Sequence, residues 1–167
     1  KEYIRRSGDY PKRSYYCNLY SQYEYFEKTG EMRFTPPVQT IYAARQALRE
    51  YFAEGETNKW ARHQRVFHAI QAGLIELGFK NVIQREWQSG LVVSVLDPDD
   101  PRWNFEIIHD YCRERGFTIY PGKISALNTF RLCALGAIDQ PDINEFFKVF
   151  KAGLMDNHID VPIKYDD

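Results

Sequence analysis

Residues 116–135, GFTIYPGKISALNTFRLCAL, decide how this chain folds. Gly116 reads as a helix stop, Phe117–Tyr120 and Thr129–Leu135 read as two strands, and Pro121-Gly122 supplies the turn chemistry between them. Side chains alternate across a strand, so Phe130 and Leu132 face a core and Arg131 faces the opposite side. A guanidinium held there is a planar fork that grips a two-oxygen anion through two parallel hydrogen bonds. The competing reading is a surface ion pair with a neighbouring carboxylate, the usual fate of an arginine.

Upstream, Trp103–Arg115 carries Phe105, Ile108 and Cys112 at helical spacing, preceded by a loop at Asp97-Pro98-Asp99-Asp100-Pro101. Val82–Trp87 and Leu91–Leu96 read as strands parted by Gln88-Ser89-Gly90. Two helices are expected before Gly78. One has Thr35 as N-cap, Pro36 and Pro37 in its first turn, and Val38, Ile41, Tyr42, Arg45, Leu48 and Phe52 as its stripe up to Gly55. The other is capped by Thr57 and carries Trp60, Phe67, Ile70, Leu74 and Leu77. Downstream, a last helix runs from Asp139 or Gln140 to about Leu154 with Ile143, Phe146, Phe147 and Phe150 inward, and a polar tail follows from Asp156.

The opening stretch to Gly30 differs, with Tyr15, Leu19, Tyr23 and Phe26 on one helical face and Tyr16, Tyr20 and Tyr25 on others. A helix apolar on several sides needs more than one partner, in this domain or outside it. The expected architecture is α+β: a mixed or antiparallel sheet covered by helices on one face, with an N-terminal helical extension. Three parts follow: an aromatic-rich segment 1–34, a small α+β domain 35–155, and a tail 156–167.

At 167 residues the chain is long enough to bury a sizeable core, and its net charge of -1 argues against a broad nucleic-acid footprint. Twelve tyrosines suit extensive contact surfaces. Cys17, Cys112 and Cys133 lack CxxC spacing, so neither a disulfide framework nor a zinc site is expected, and a reducing cytoplasm is the simplest setting. The apolar run Leu91–Leu96 is too short to span a bilayer.

Thr35 is the second anion candidate, because a hydroxyl at a helix start meets unpaired amides and partial positive charge that favour phosphate. Pro36 and Pro37 remove two donors, leaving the hydroxyl with the Val38 and Gln39 amides. His63, His68, His109 and His158 are scattered without ligand spacing. The Asp97–Asp100 run reads as a solvated turn rather than a cation site. Lys123, beside Gly122, is a weak candidate for lending charge to an anion. No nucleophile and base are arranged together, so the reactive group is expected elsewhere.

In order, Arg33-Phe34-Thr35-Pro36-Pro37, Ala61-Arg62-His63, Gly116–Lys123 and Phe130-Arg131-Leu132 resemble the C-terminal part of 2-aminoethylphosphonate:pyruvate transaminases. These are class V members of the fold-type I pyridoxal-phosphate enzymes. The resemblance covers nearly the whole chain; Tyr-Pro-Gly-Lys with Phe-Arg is its more specific part, and Tyr15–Tyr20 looks like the family segment before the small domain. It implies that Arg131 binds the substrate anion, phosphonate in one half-reaction and pyruvate carboxylate in the other. It also implies that Thr35 reaches across a homodimer to the phosphate of the neighbouring subunit's pyridoxal 5'-phosphate.

The family's Schiff-base lysine, and the aspartate on the pyridine nitrogen, belong to a large domain upstream of Lys1. Residues 1–34 would belong to that domain or link to it. No catalytic residue is therefore expected within this chain, which by itself should neither hold the cofactor covalently nor transaminate. Leu132-Cys133-Ala134 departs from the family, which has glycine after this Phe-Arg element. Two alternatives stay open: another class V transaminase of the alanine or serine:glyoxylate type, and a non-catalytic α+β module that binds small anions.

Overall fold

The computed structural model describes residues 1–122 and 127–165, and its chain divides into two compact units, 1–53 and 54–167. The division falls at the end of the first long helix, whereas the sequence reading put a boundary after residue 34.

In the first unit α1 spans Glu2–Arg6, α2 Leu19–Thr29 and α3 Val38–Glu54, whose last residue opens the second unit. Asn18 Oδ1 accepts the Ser21 amide at 2.9 Å and caps α2. Gly30, at φ 73°, closes it by donating to the Phe26 carbonyl at 2.8 Å. Tyr15 therefore precedes the helix instead of sharing its face with Leu19. Its ring packs edge-on to Phe34, and Arg33 lies 4.6 Å over it. None of these helices has a fully buried side chain.

Thr35 is not an N-cap. Helix α3 begins at Val38, the Ile41 amide bonds the Pro37 carbonyl at 3.0 Å, and both prolines stay outside the helix. Two successive rings restrict the backbone before each of them to extended geometry, which delays helix entry. Similarly, Gly55 at φ 82° rather than Thr57 precedes α4, Glu56–Glu76.

The second unit holds the core. Helix α4 buries Val66, Phe67, Ile70 and Leu74; α5, Phe105–Glu114, buries Ile108 and Cys112; α6, Gln140–Asp156, buries Ile143, Phe146, Phe150 and Leu154. Asn104 caps α5 by accepting the Glu106 and Ile107 amides, and Asp139 with Asp142 forms a capping box on α6. Strands β1 (Val92–Leu96), β2 (Tyr120–Pro121) and β3 (Thr129–Cys133) form an antiparallel sheet in the order β1-β3-β2. Register pairs Val95 with Phe130, and Arg131 with both Ser94 and Tyr120. Val93, Val95, Phe130 and Leu132 point into the helices, where Phe79, Phe130, Phe146 and Phe150 pack at ring separations of 5.4–6.0 Å. The other sheet face carries Arg131 and Cys133. This is the expected α+β layer structure.

Three expectations need correction. Val82–Trp87 is not a strand: one bridge pairs Asn81 with Val95, and the chain then turns through a 3-10 helix at Arg85–Trp87, leaving Trp87 exposed with no face to bury it. The strand expected at Phe117–Tyr120 contracts to Tyr120–Pro121. Residues 157–165, read as part of a polar tail, include buried apolar side chains. Ile159 and Ile163 are buried, the Ile163 amide donates to the Leu77 carbonyl at 2.8 Å, and Tyr165 donates to the Leu96 carbonyl at 2.8 Å. The Ile163 backbone lies so close to Gly78, at φ 82°, that a side chain there would collide.

Candidate functional site

Arg131 is positioned by its strand. Phe130 and Leu132 are locked into the core, so alternation turns residue 131 outward, where it is exposed. It lines an open cleft of about 690 Å³ together with Tyr120, Pro121, Cys133, Leu135 and Ile138. Among the described residues no carboxylate lies within ion-pair distance of Arg131, whereas Arg62 and Arg113 each have one and Arg102 has two. The local acid that would explain this arginine structurally is thus not found there. Burial pushes the Cys133 thiol up, and the positive charge of Arg131 works against that shift. The arrangement presents a cation at the rim of a largely apolar cleft, which suits a small anionic molecule.

Thr35 is exposed, and its hydroxyl makes no hydrogen bond among the described residues. The Val38 amide, counted as a free donor from sequence, instead bonds the Pro36 carbonyl at 2.8 Å. Helix geometry leaves the Gln39 and Thr40 amides without an intrahelical acceptor. A hydroxyl and two amides form a donor set that fits a phosphate ester. Thr35 and Arg131 lie in different units.

Other candidates recede. Among the described residues no group of His, Cys, Asp or Glu is arranged to hold a metal ion. Asp100 pairs with Arg102 through Oδ2 at 2.6 Å, and burial raises the Asp97 carboxyl. Burial also lowers the pKa of the His63 imidazole, whose Nε2 is enclosed without a hydrogen-bond partner among the described residues. Lys123 falls outside the described residues. Sequence reasoning missed the role of Arg62, quoted only as part of a motif. It holds Glu54 through two bonds, Nε to Oε1 at 2.6 Å and a second to Oε2 at 3.0 Å, and donates to the Gly136 and Ile138 carbonyls at 2.7 and 3.2 Å. This ties the start of α4 to the segment after β3. Only the charge separation of eight residues hinted at the pair.

The fold matches part of several solved aminotransferases. The ureidoglycine–glyoxylate aminotransferase of Bacillus subtilis superposes with a TM-score of 0.75 at 19% identity, over 93% of this chain and 41% of that one. The alanine–glyoxylate aminotransferase of Nostoc sp. gives 0.72 at 19% identity, over 86% and 39%.

Sequence narrows the class. The chain is homologous to part of the 2-aminoethylphosphonate–pyruvate transaminases. It is 34% identical over 140 residues to one from Polaromonas sp., covering 83% of this chain and 38% of the relative, and 39% identical over 127 residues to one from Burkholderia lata, covering 75% and 34%. The chain thus spans about a third of the length of the curated relatives it matches. No protein-family model matches it.

Proposed function

We propose that this chain is the C-terminal part of a pyridoxal-phosphate-dependent aminotransferase that converts 2-aminoethylphosphonate and pyruvate to phosphonoacetaldehyde and alanine. The observation that carries the reading is Arg131: an arginine without an acidic partner among the described residues, on a cleft, in a chain 34–39% identical to transaminases named for these two substrates. Both substrates end in an anion with at least two oxygens, phosphonate or carboxylate. One guanidinium fork serves the two half-reactions in turn by orienting each molecule with its reacting carbon away from the strand.

When bound, pyridoxal phosphate supplies the electron sink through which the amino group moves. The chain's own contribution to it is the Thr35 hydroxyl with the Gln39 and Thr40 amides, directed at the phosphate of the cofactor in a second subunit. The lysine that attaches the cofactor would lie in the large domain, which residues 1–34 join or belong to, and a Thr35 that serves a second subunit's cofactor makes the proposed enzyme a homodimer. The cytoplasm, where pyruvate is available, is the expected setting.

The test is alanine formation by the complete purified enzyme. Its kcat/KM with 2-aminoethylphosphonate and pyruvate should exceed that of glycine formation from serine or alanine and glyoxylate by at least about a hundredfold. The likeness in fold to glyoxylate aminotransferases makes the second pair the rival; a preference for it would replace the substrate assignment.

A further inference from the structure

The stem of Arg131 lies against Gly122. A Cβ at residue 122 would sit 2.8 Å from Arg131 Cγ, 3.0 Å from its Nε and 3.1 Å from Thr129 Oγ1. Real side chains do not tolerate such contact with a γ-carbon, which sits one bond beyond Cβ and cannot swing clear without a new χ1 rotamer. The glycine is fixed in place, because its amide donates to the Thr129 carbonyl at 2.8 Å as β2 pairs with β3. Thr129 is itself buried, so it closes the other side. Gly122 is not among the glycines held at positive φ. Backbone freedom therefore does not explain glycine here, and the close approach of Arg131 does.

We infer that Gly122 is a positioning residue for anion recognition: its bare α-carbon is the floor along which the Arg131 side chain is laid, and any side chain there redirects the guanidinium. The inference rests on the reading of Arg131 as the anion receptor. It assigns residue 122 a role in setting affinity for phosphonate and carboxylate alike, without contact with either.

A double-mutant cycle in the complete enzyme tests it, read by calorimetric titration with phosphonoacetate, which keeps the phosphonate but has no amine to react, and by steady-state kinetics. Arg131→Ala should weaken phosphonoacetate about a hundredfold. Gly122→Ala should weaken it about tenfold or more and raise KM for both substrates more than it lowers kcat, with the unfolding midpoint nearly unchanged. Adding Gly122→Ala to Arg131→Ala should change affinity no further. If Arg131→Ala binds as the parent does, the receptor reading falls and this inference with it. If Arg131→Ala weakens binding but Gly122→Ala does not, or if the two effects add, only the positioning role is overturned. Should Gly122→Ala fail to fold, the double variant lacks the γ-carbon and should fold again; continued failure would equally overturn the role.

Discussion

Helices α3 and α4 follow one another across Gly55, and both carry apolar residues at helical spacing. Helix α4 buries four of them. Helix α3 buries none: Ile41 is 53% and Phe52 73% exposed within the chain. The same pattern in sequence therefore has two outcomes. Periodicity states that a helix has an apolar face, but not whether the matching surface lies in the same stretch of chain. In the second unit the match is present, since β1 and α6 pack against α4. In the first unit it is not, in keeping with the proposal that these residues are completed by a large domain.

The largest test of this contrast is in the core. Phe150, fully buried against Phe130 and Phe146, should cost about 3–5 kcal/mol when replaced by alanine. Urea unfolding of the chain would check it, and a loss below about 1 kcal/mol would contradict the packing described. Phe52→Ala sharpens the other side. In the chain alone the change should stay within about 0.5 kcal/mol, while in the complete enzyme it should reach about 2 kcal/mol or more. Equal small effects in both would mean that α3 faces solvent throughout.

Asp139→Ala removes one half of the α6 capping box and should destabilise the second unit by about 1 kcal/mol, read in the same urea series. The smallest effect concerns pH. Burial holds the His63 imidazole below its ordinary 6.5, so between the lowered value and 6.5 the unfolded chain binds more protons than the folded one. Stability conferred by neutral His63 is then present above 6.5 and lost as pH falls through the lowered value. His63→Gln should flatten that part of the stability profile; an unchanged slope would show that His63 titrates normally.

Much of the second unit was legible in the sequence because local signals and burial agree there. Thr129–Cys133 alternates around Phe130 and Leu132, Val92–Leu96 repeats the pattern, α5 starts two residues after the expected Trp103, and α6 starts at the expected Gln140. Val82–Trp87 misled because β-branched and aromatic residues suggest a strand, yet Trp87 has no sheet face to occupy. Ile159 and Ile163 carry no periodic signal, and the burial of Ile163 goes with the close approach of its backbone to Gly78, a contact between segments far apart in sequence. At the site, the strand and direction of Arg131 could be read from alternation. The Gly122 floor could not, because it depends on two segments nine residues apart meeting at one α-carbon. The caps at Thr35 and Thr57 failed for a local reason: Pro36-Pro37 and Gly55 set the backbone before a hydroxyl can.

The most direct measurement is kcat/KM of the complete Arg131→Gln enzyme for 2-aminoethylphosphonate and for pyruvate. Loss of a charge-assisted fork shared by both half-reactions should lower the two values together, each by about a hundredfold or more. Parent-like values for both substrates would show that this guanidinium does not hold them.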